Sequence, residues 1–269
     1  MLKTVVVTVT ALLVSSAEVS AAPDLKSDAL LLSLDFSELS PGSGGGRAAV
    51  DWLRSARPGI LWVAGISSSR LDDSEWTVGR FGVFAEASPR LGLRGDAHLG
   101  GGRRGGQGFD YRLFSAGMTW EILDQRLYLD LEDRYFDVDT SHGNLAQVGL
   151  RFLPGRRLSA GLAYYRATGG NTEADFVSGR LDVTAGRLRF LGGFALGRTR
   201  PEVVGMIGGD ATDLEQVYLG VAFPVAGKPV AGSELTVVVD VVKLDEVERG
   251  TVSLNLRVPL SRSEAEGDR

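Results

Sequence analysis

No cysteine occurs among the 269 residues, and only two histidines do. The first absence excludes a disulfide scaffold, a thiol nucleophile and a thiolate metal site. The second, with His98 and His142 far apart in the chain, excludes a histidine-rich metal cluster. Nowhere do 18 apolar residues run together, so no segment has the make-up of a membrane-spanning helix. An excess of positive charge is lacking too: 29 Lys and Arg stand against 34 Asp and Glu, and the net charge of −5 carries no nucleic-acid signature. What is present is 43% hydrophobic residues, too many for a disordered chain, and 36 glycines, roughly twice the usual share. The glycines follow no G-x-y period, which excludes collagen.

The N-terminus has three parts. Met1-Leu2-Lys3 is a short positive start, residues 4–14 form an apolar run, and Val19-Ser20-Ala21-Ala22 places small side chains where a signal peptidase cuts. This is the order of a secretory signal peptide, and residues 1–21 are expected to be removed. The apolar run is too short to cross a bilayer as a helix, and with no cysteine a lipoprotein anchor is excluded.

Beyond it, apolar residues recur with period two in segments of about eight to eleven residues divided by turn residues. Val252, Leu254, Leu256, Val258 and Leu260 alternate with Ser253, Asn255 and Arg257. Leu127, Leu129 and Leu131 oppose Tyr128, Asp130, Glu132 and Arg134. Read throughout, the alternation predicts fourteen strands, over 29–37, 47–54, 60–69, 76–86, 91–99, 110–121, 127–136, 145–152, 158–167, 175–184, 187–197, 214–223, 234–243 and 250–260. Segments 29–37 and 47–54 alternate least cleanly, and without them twelve strands remain, still an even number.

The connections are also patterned. Short ones at Ser88-Pro89-Arg90, Asp124-Gln125-Arg126, Pro154-Gly155-Arg156 and Ala185-Gly186 take turns with longer polar or glycine-rich ones. The longer set is Pro41–Gly46, Arg70–Glu75, Gly100–Phe109, Asp137–Asn144, Thr168–Ala174 and Thr199–Asp213, while Val225–Ser233 and Asp245–Gly250 break the rule. Short turns on one side and long loops on the other belong to barrels of the outer membrane. The pattern resembles the bacterial outer-membrane β-barrel class over nearly all of residues 22–260, without singling out a family, and residues 261–269 form a polar tail. The resemblance implies an all-β, antiparallel up-and-down transmembrane barrel in a Gram-negative outer membrane, in contact with lipid and lipopolysaccharide. The alternative is a secreted sandwich with its apolar face inside, since alternation alone does not say which face is which. Trp52, Trp62 and Trp120 fall near the expected periplasmic strand ends and Tyr111, Tyr135 and Tyr164 near the outer ends, where interfacial girdles sit.

In a barrel the charged face must turn inward. Parity assigns Asp35, Asp51, Arg80, Arg94, Asp96, Arg112, Asp130, Glu132, Arg134, Arg151, Arg180, Asp182, Arg189, Asp240 and Arg257 to the interior. Small inward partners such as Gly149, Gly161, Ala163, Gly193 and Ala195 leave space beside them. This points to a polar lumen passing small hydrophilic solutes by diffusion, and the competing reading is a set of ion pairs that plugs the barrel. A second function fits the same chain: an accessory that guides a secreted polymer or serves envelope assembly. A third, a lipid hydrolase, is disfavoured, because Gly143 and Asn144 follow His142 where a serine nucleophile is needed. No enzyme activity, cofactor or metal is expected. Gly100–Gly108 lacks the phosphate-loop pattern and reads as an exposed loop. The stretch from Thr199 to Asp213, with Val203, Val204, Met206 and Ile207, is apolar enough to fold inward as a constriction.

Overall fold

The computed structural model describes residues 28–40, 43–71, 74–138, 141–170, 172–199, 212–225, 232–245 and 247–260. The expected signal peptide, the polar tail and the apolar residues 203–207 lie outside these. Fourteen strands follow one another: β1 Asp28–Ser40, β2 Ser43–Arg57, β3 Ile60–Leu71, β4 Ser74–Ser88, β5 Leu91–Arg104, β6 Gln107–Leu123 and β7 Leu127–Val138 make one half. The other half is β8 Ser141–Gly155, β9 Leu158–Thr168, β10 Ala174–Ala185, β11 Leu188–Thr199, β12 Thr212–Pro224, β13 Glu234–Leu244 and β14 Val247–Leu260. Each pairs antiparallel with its sequence neighbours, and β14 returns to β1 from Asp28↔Leu260 to Ser40↔Glu248, closing the barrel. Closure leaves no open sheet edge, the condition for a sheet to sit in lipid. A two-sheet sandwich is excluded, because there is one closed sheet.

With an even strand count, Asp28 and Leu260 share one rim, here called lower, with the turns at 58–59, 89–90, 124–126, 156–157 and 186–187. Every strand carries at least one large apolar side chain more than a third exposed, among them Phe36, Ile66, Phe81, Phe114, Leu162 and Leu219. A monomer in water rarely presents an apolar patch above a few hundred Å². A continuous apolar belt around a barrel is instead matched to hydrocarbon. Trp52, Trp62 and Trp120 belong to this outer face toward the lower rim, and Tyr135 and Tyr164 lie on it toward the other. Tyr111 does not: it is 4% exposed and turned inward, which corrects its place in the outer girdle.

Toward the upper rim the two faces exchange character. Outward positions become charged and pair across strands in register: Arg70↔Glu75↔Arg103, Arg166↔Asp175↔Arg198↔Asp213, and Glu215↔Lys243↔Glu248. Opposite charges directly across a ladder favour strand over loop by about 0.2–1 kcal/mol per pair. Inward positions become apolar and form one buried cluster that includes Leu39, Trp76, Tyr111, Phe136, Tyr165 and Phe176. Four of the six stretches expected to be long polar loops are therefore largely strand. Only residues 41–42, 72–73, 105–106, 139–140 and 245–246 separate the paired strands there, and 169–173 and 200–211 are the longer connections. The expected alternation of short and long connections is corrected accordingly. Polar residues facing water imitate loop composition, although here they are one face of a ladder. Gly100–Gly108 is likewise a hairpin rather than a loop, turned at Gly105 and Gly106, whose φ of 54° and 84° are those of the tight two-residue turn.

Candidate functional site

Among the described residues nothing packs on the outside of the closed barrel, so a side chain is buried there only within. Of the residues selected by parity, Asp35, Asp51, Glu132, Arg134, Arg151 and Asp240 are buried, and Arg80, Arg94, Asp96, Asp130, Arg180, Asp182, Arg189 and Arg257 are partly buried on the same inward phase. Arg112 is the exception. Its side chain is 52% exposed on the outer face of β6, where it pairs with Asp110 at 2.7 Å and Asp137 at 3.8 Å. The assumption that charge always turns inward fails there because, near the upper rim, Tyr111 and Leu113 fill the interior and Arg112 faces outward.

The inward charges form a belt around the middle of the barrel. Asp35 pairs with Arg47 at 3.5 Å. Arg80 holds Asp96 with two nitrogens, Nε at 2.8 Å and Nη2 at 3.3 Å, and also reaches Asp51 at 3.7 Å. His98 Nε2 lies 3.6 Å from the same Asp96. Glu132 accepts from Arg134 at 2.6 Å and from Arg94. Asp130 accepts from Thr119 at 2.6 Å and Arg151 at 3.3 Å. Toward the lower rim Arg189 donates to Glu234 at 2.9 Å.

Some of these pairs skip a strand, and glycine makes the crossing possible. Asp51 on β2 meets Arg80 on β4 over β3, where a Cβ on Gly65 would lie 1.9 Å from the Asp51 carboxylate. Arg94 on β5 meets Glu132 on β7 over β6, where a Cβ on Gly117 would lie 2.7 Å from the Arg94 Nε. Any larger residue on the intervening strand would push these charges apart.

One fully inward residue escapes the sequence reading. Arg249 is 1% exposed, 3.7 Å from Asp240, whose other oxygen accepts from Gln216 at 2.7 Å. Residues 245–250 read as a turn, yet the odd-numbered inward phase of Thr251, Ser253 and Asn255 extends back through Arg249. That phase was the available signal. Of two further partners, Arg47 had a signal in the sequence, opening segment 47–54 on the same odd phase as Asp51, and Gln216, uncharged, lies outside a reading by charge.

Below the belt a vestibule of about 510 Å³ opens at the lower rim. Its lining carries Arg90, Arg94, Arg151, Arg156, Arg157 and Arg189 against Glu86, Glu121 and Asp182, a two-to-one positive balance. At the level of the belt, reaching up to Tyr165 and Ala195, lies a chamber of about 70 Å³, and Arg94 and Arg151 line both it and the vestibule. Above the belt is the apolar cluster, in which the Tyr165 and Phe176 rings stack at 4.6 Å. Nothing among the described residues gathers three His, Asp or Glu side chains for a metal. The hydrolase reading loses its loop, since His142 is an exposed residue within β8.

No family model matches the chain, and no curated protein matches it in sequence. Solved structures match its fold. A Pseudomonas aeruginosa FadL homologue is 8% identical over 87% of this chain and 90% of its own, with a TM-score of 0.60. A TodX mutant described as a monoaromatic hydrocarbon channel is 11% identical, covers 93% of each chain and gives 0.59. A bacterial polysaccharide outer membrane secretin is 10% identical over 87% of this chain and 98% of its own, at 0.56. The fold is that of the bacterial outer-membrane β-barrels. Identities this low establish the architecture and single out no family within the class.

Proposed function

We propose that the chain is an outer-membrane channel passing small hydrophilic solutes, inserted after residues 1–21 are removed, with its lower rim in the periplasm. The observation that carries this reading is the belt of inward ion pairs opening below into the vestibule of about 510 Å³. Charged groups at this level need water or one another, and an apolar solute crossing them would strip that hydration with nothing in return. The charged outward positions that extend the strands beyond the apolar belt at the upper rim support the orientation, since the longer extensions of such barrels face outside. Lipid and lipopolysaccharide are then the outer contacts.

A second reading is favoured by the apolar cluster above the belt: passage of apolar solutes, as the hydrocarbon channel among the structural neighbours is described to do. The two are separated by reconstitution. The hydrophilic reading expects stepwise single-channel conductance in planar bilayers and swelling of proteoliposomes in small sugars. A folded barrel, recognised by heat-modifiable gel migration, that conducts no ions yet speeds toluene entry into vesicles would overturn it.

A further inference from the structure

Resting on the channel reading, we propose that the small chamber at the level of the belt is a binding site for an oxyanion, the carboxylate or phosphate group of a solute in transit, and that Arg180 receives it. The charges lining the chamber are Arg94, Arg151 and Arg180 against Asp130 alone. Arg94 is engaged by Glu132 and Arg151 by Asp130. Arg180 differs from both. Among the described residues no carboxylate lies within ion-pair distance of it, while Asp182 and Asp130 act on it only from farther away and Arg151 adds a second positive field. A guanidinium withdrawn from bulk water without a counter-charge is costly, and an anion entering the chamber supplies what the fold withholds.

The space around Arg180 is made by small residues. A Cβ on Gly161 would lie 3.0 Å from the Arg180 Nε, so the side chain on β10 rests across β9 where a larger residue would press it aside. Gly149 and Ala163 continue the gap. Gln147 and Tyr218 line the same space, where the Gln147 amide nitrogen and the Tyr218 hydroxyl are further donors. At about 70 Å³ the chamber admits one carboxylate or phosphate group, and the shared Arg94 and Arg151 let the rest of the solute extend into the vestibule.

The test is calorimetric titration of citrate, and separately of inorganic phosphate, into the folded barrel in zwitterionic detergent. Saturable binding is expected, weakened about tenfold or more by Arg180→Gln, since a charge-assisted bond is worth roughly 1.5–3 kcal/mol. Gly161→Ala, which displaces the Arg180 side chain without removing its charge, is expected to weaken it too, and outward Arg112→Gln to leave it unchanged. Citrate binding alone assigns a carboxylate, phosphate binding alone a phosphoryl group. Absence of saturable binding to the wild-type barrel, or equal affinity in Arg180→Gln, overturns the proposal. Binding does not depend on conduction, so a non-conducting barrel that still binds citrate through Arg180 would overturn the channel reading alone.

Discussion

The middle of the barrel and its upper end are built from the same strands with opposite polarity. Around the middle, β1 turns Leu32, Leu34 and Phe36 outward and Ser33, Asp35 and Ser37 inward. One step higher on the same strand Glu38 is exposed and Leu39 is buried. Every ladder is continuous through this change, so backbone pairing does not dictate which face is polar. The surroundings do. Where hydrocarbon lies outside, apolar side chains face out and charges must find partners within, whereas beyond the lipid water lies outside and the interior can behave as an ordinary protein core. On the membrane reading proposed above, the reversal marks the level at which the lipid ends.

The largest effect is expected in the upper interior, because the larger of the two buried apolar clusters among the described residues lies there. Phe176 is 2% exposed and stacked on Tyr165. Phe176→Ala should lower unfolding stability by about 3–5 kcal/mol, the usual result of emptying an aromatic site in a packed core. Equilibrium denaturation in lipid vesicles measures this. A loss below about 1 kcal/mol would mean that the upper interior is loosely filled, and the comparison with a protein core would fail.

The next effect is on the outside and depends on height. Leu34, 46% exposed at mid-strand, belongs to the apolar belt, and Thr168 is an exposed residue at the upper end of β9. Leu34→Arg should cost roughly 2–4 kcal/mol, the penalty for a cation at the bilayer midplane, while Thr168→Arg should fall in the range of about 0–1 near or above the interface. The same denaturation assay compares them. Equal penalties would place the lipid boundary elsewhere and remove the explanation for the reversal.

The reversal also explains what was legible in the sequence. Where Leu127, Leu129 and Leu131 alternate with Asp130 and Glu132, the period is plain, and such stretches mark the strands other than β1 and β2, whose segments 29–37 and 47–54 alternate less cleanly. Higher up, Asp133 and Tyr135 face out while Arg134 and Phe136 face in, so a rule tied to polarity loses the phase although the period persists. That is why Arg112 was assigned inward, why Tyr111 was assigned to a girdle, and why residues 245–250 hid Arg249. Strand ends were read short for the same reason: β8 begins at Ser141 rather than near residue 145. The ion-pair partners were not legible at all. Asp51 meeting Arg80 depends on Gly65 of an intervening strand, and linear spacing does not express contacts between strands one removed.

The smallest effect tests the outward charges of the upper end. Lys243 stands directly between Glu215 and Glu248 in register and reaches Glu215 at 4.0 Å. These groups are more than half exposed, so solvent screens them and each contact is worth little alone. Lys243→Glu nevertheless replaces two attractive neighbours with two repulsive ones across ladders that carry no lipid to hold them. A loss of about 0.5–1 kcal/mol is expected at low ionic strength, shrinking as salt is added because the Debye length falls to about 3 Å at 1 M. The sharper readout is local: amide exchange at the β12–β14 upper ends should quicken while the apolar belt below stays protected. Exchange that quickened equally along whole strands would show that the two regions open as one cooperative unit despite their opposite polarity.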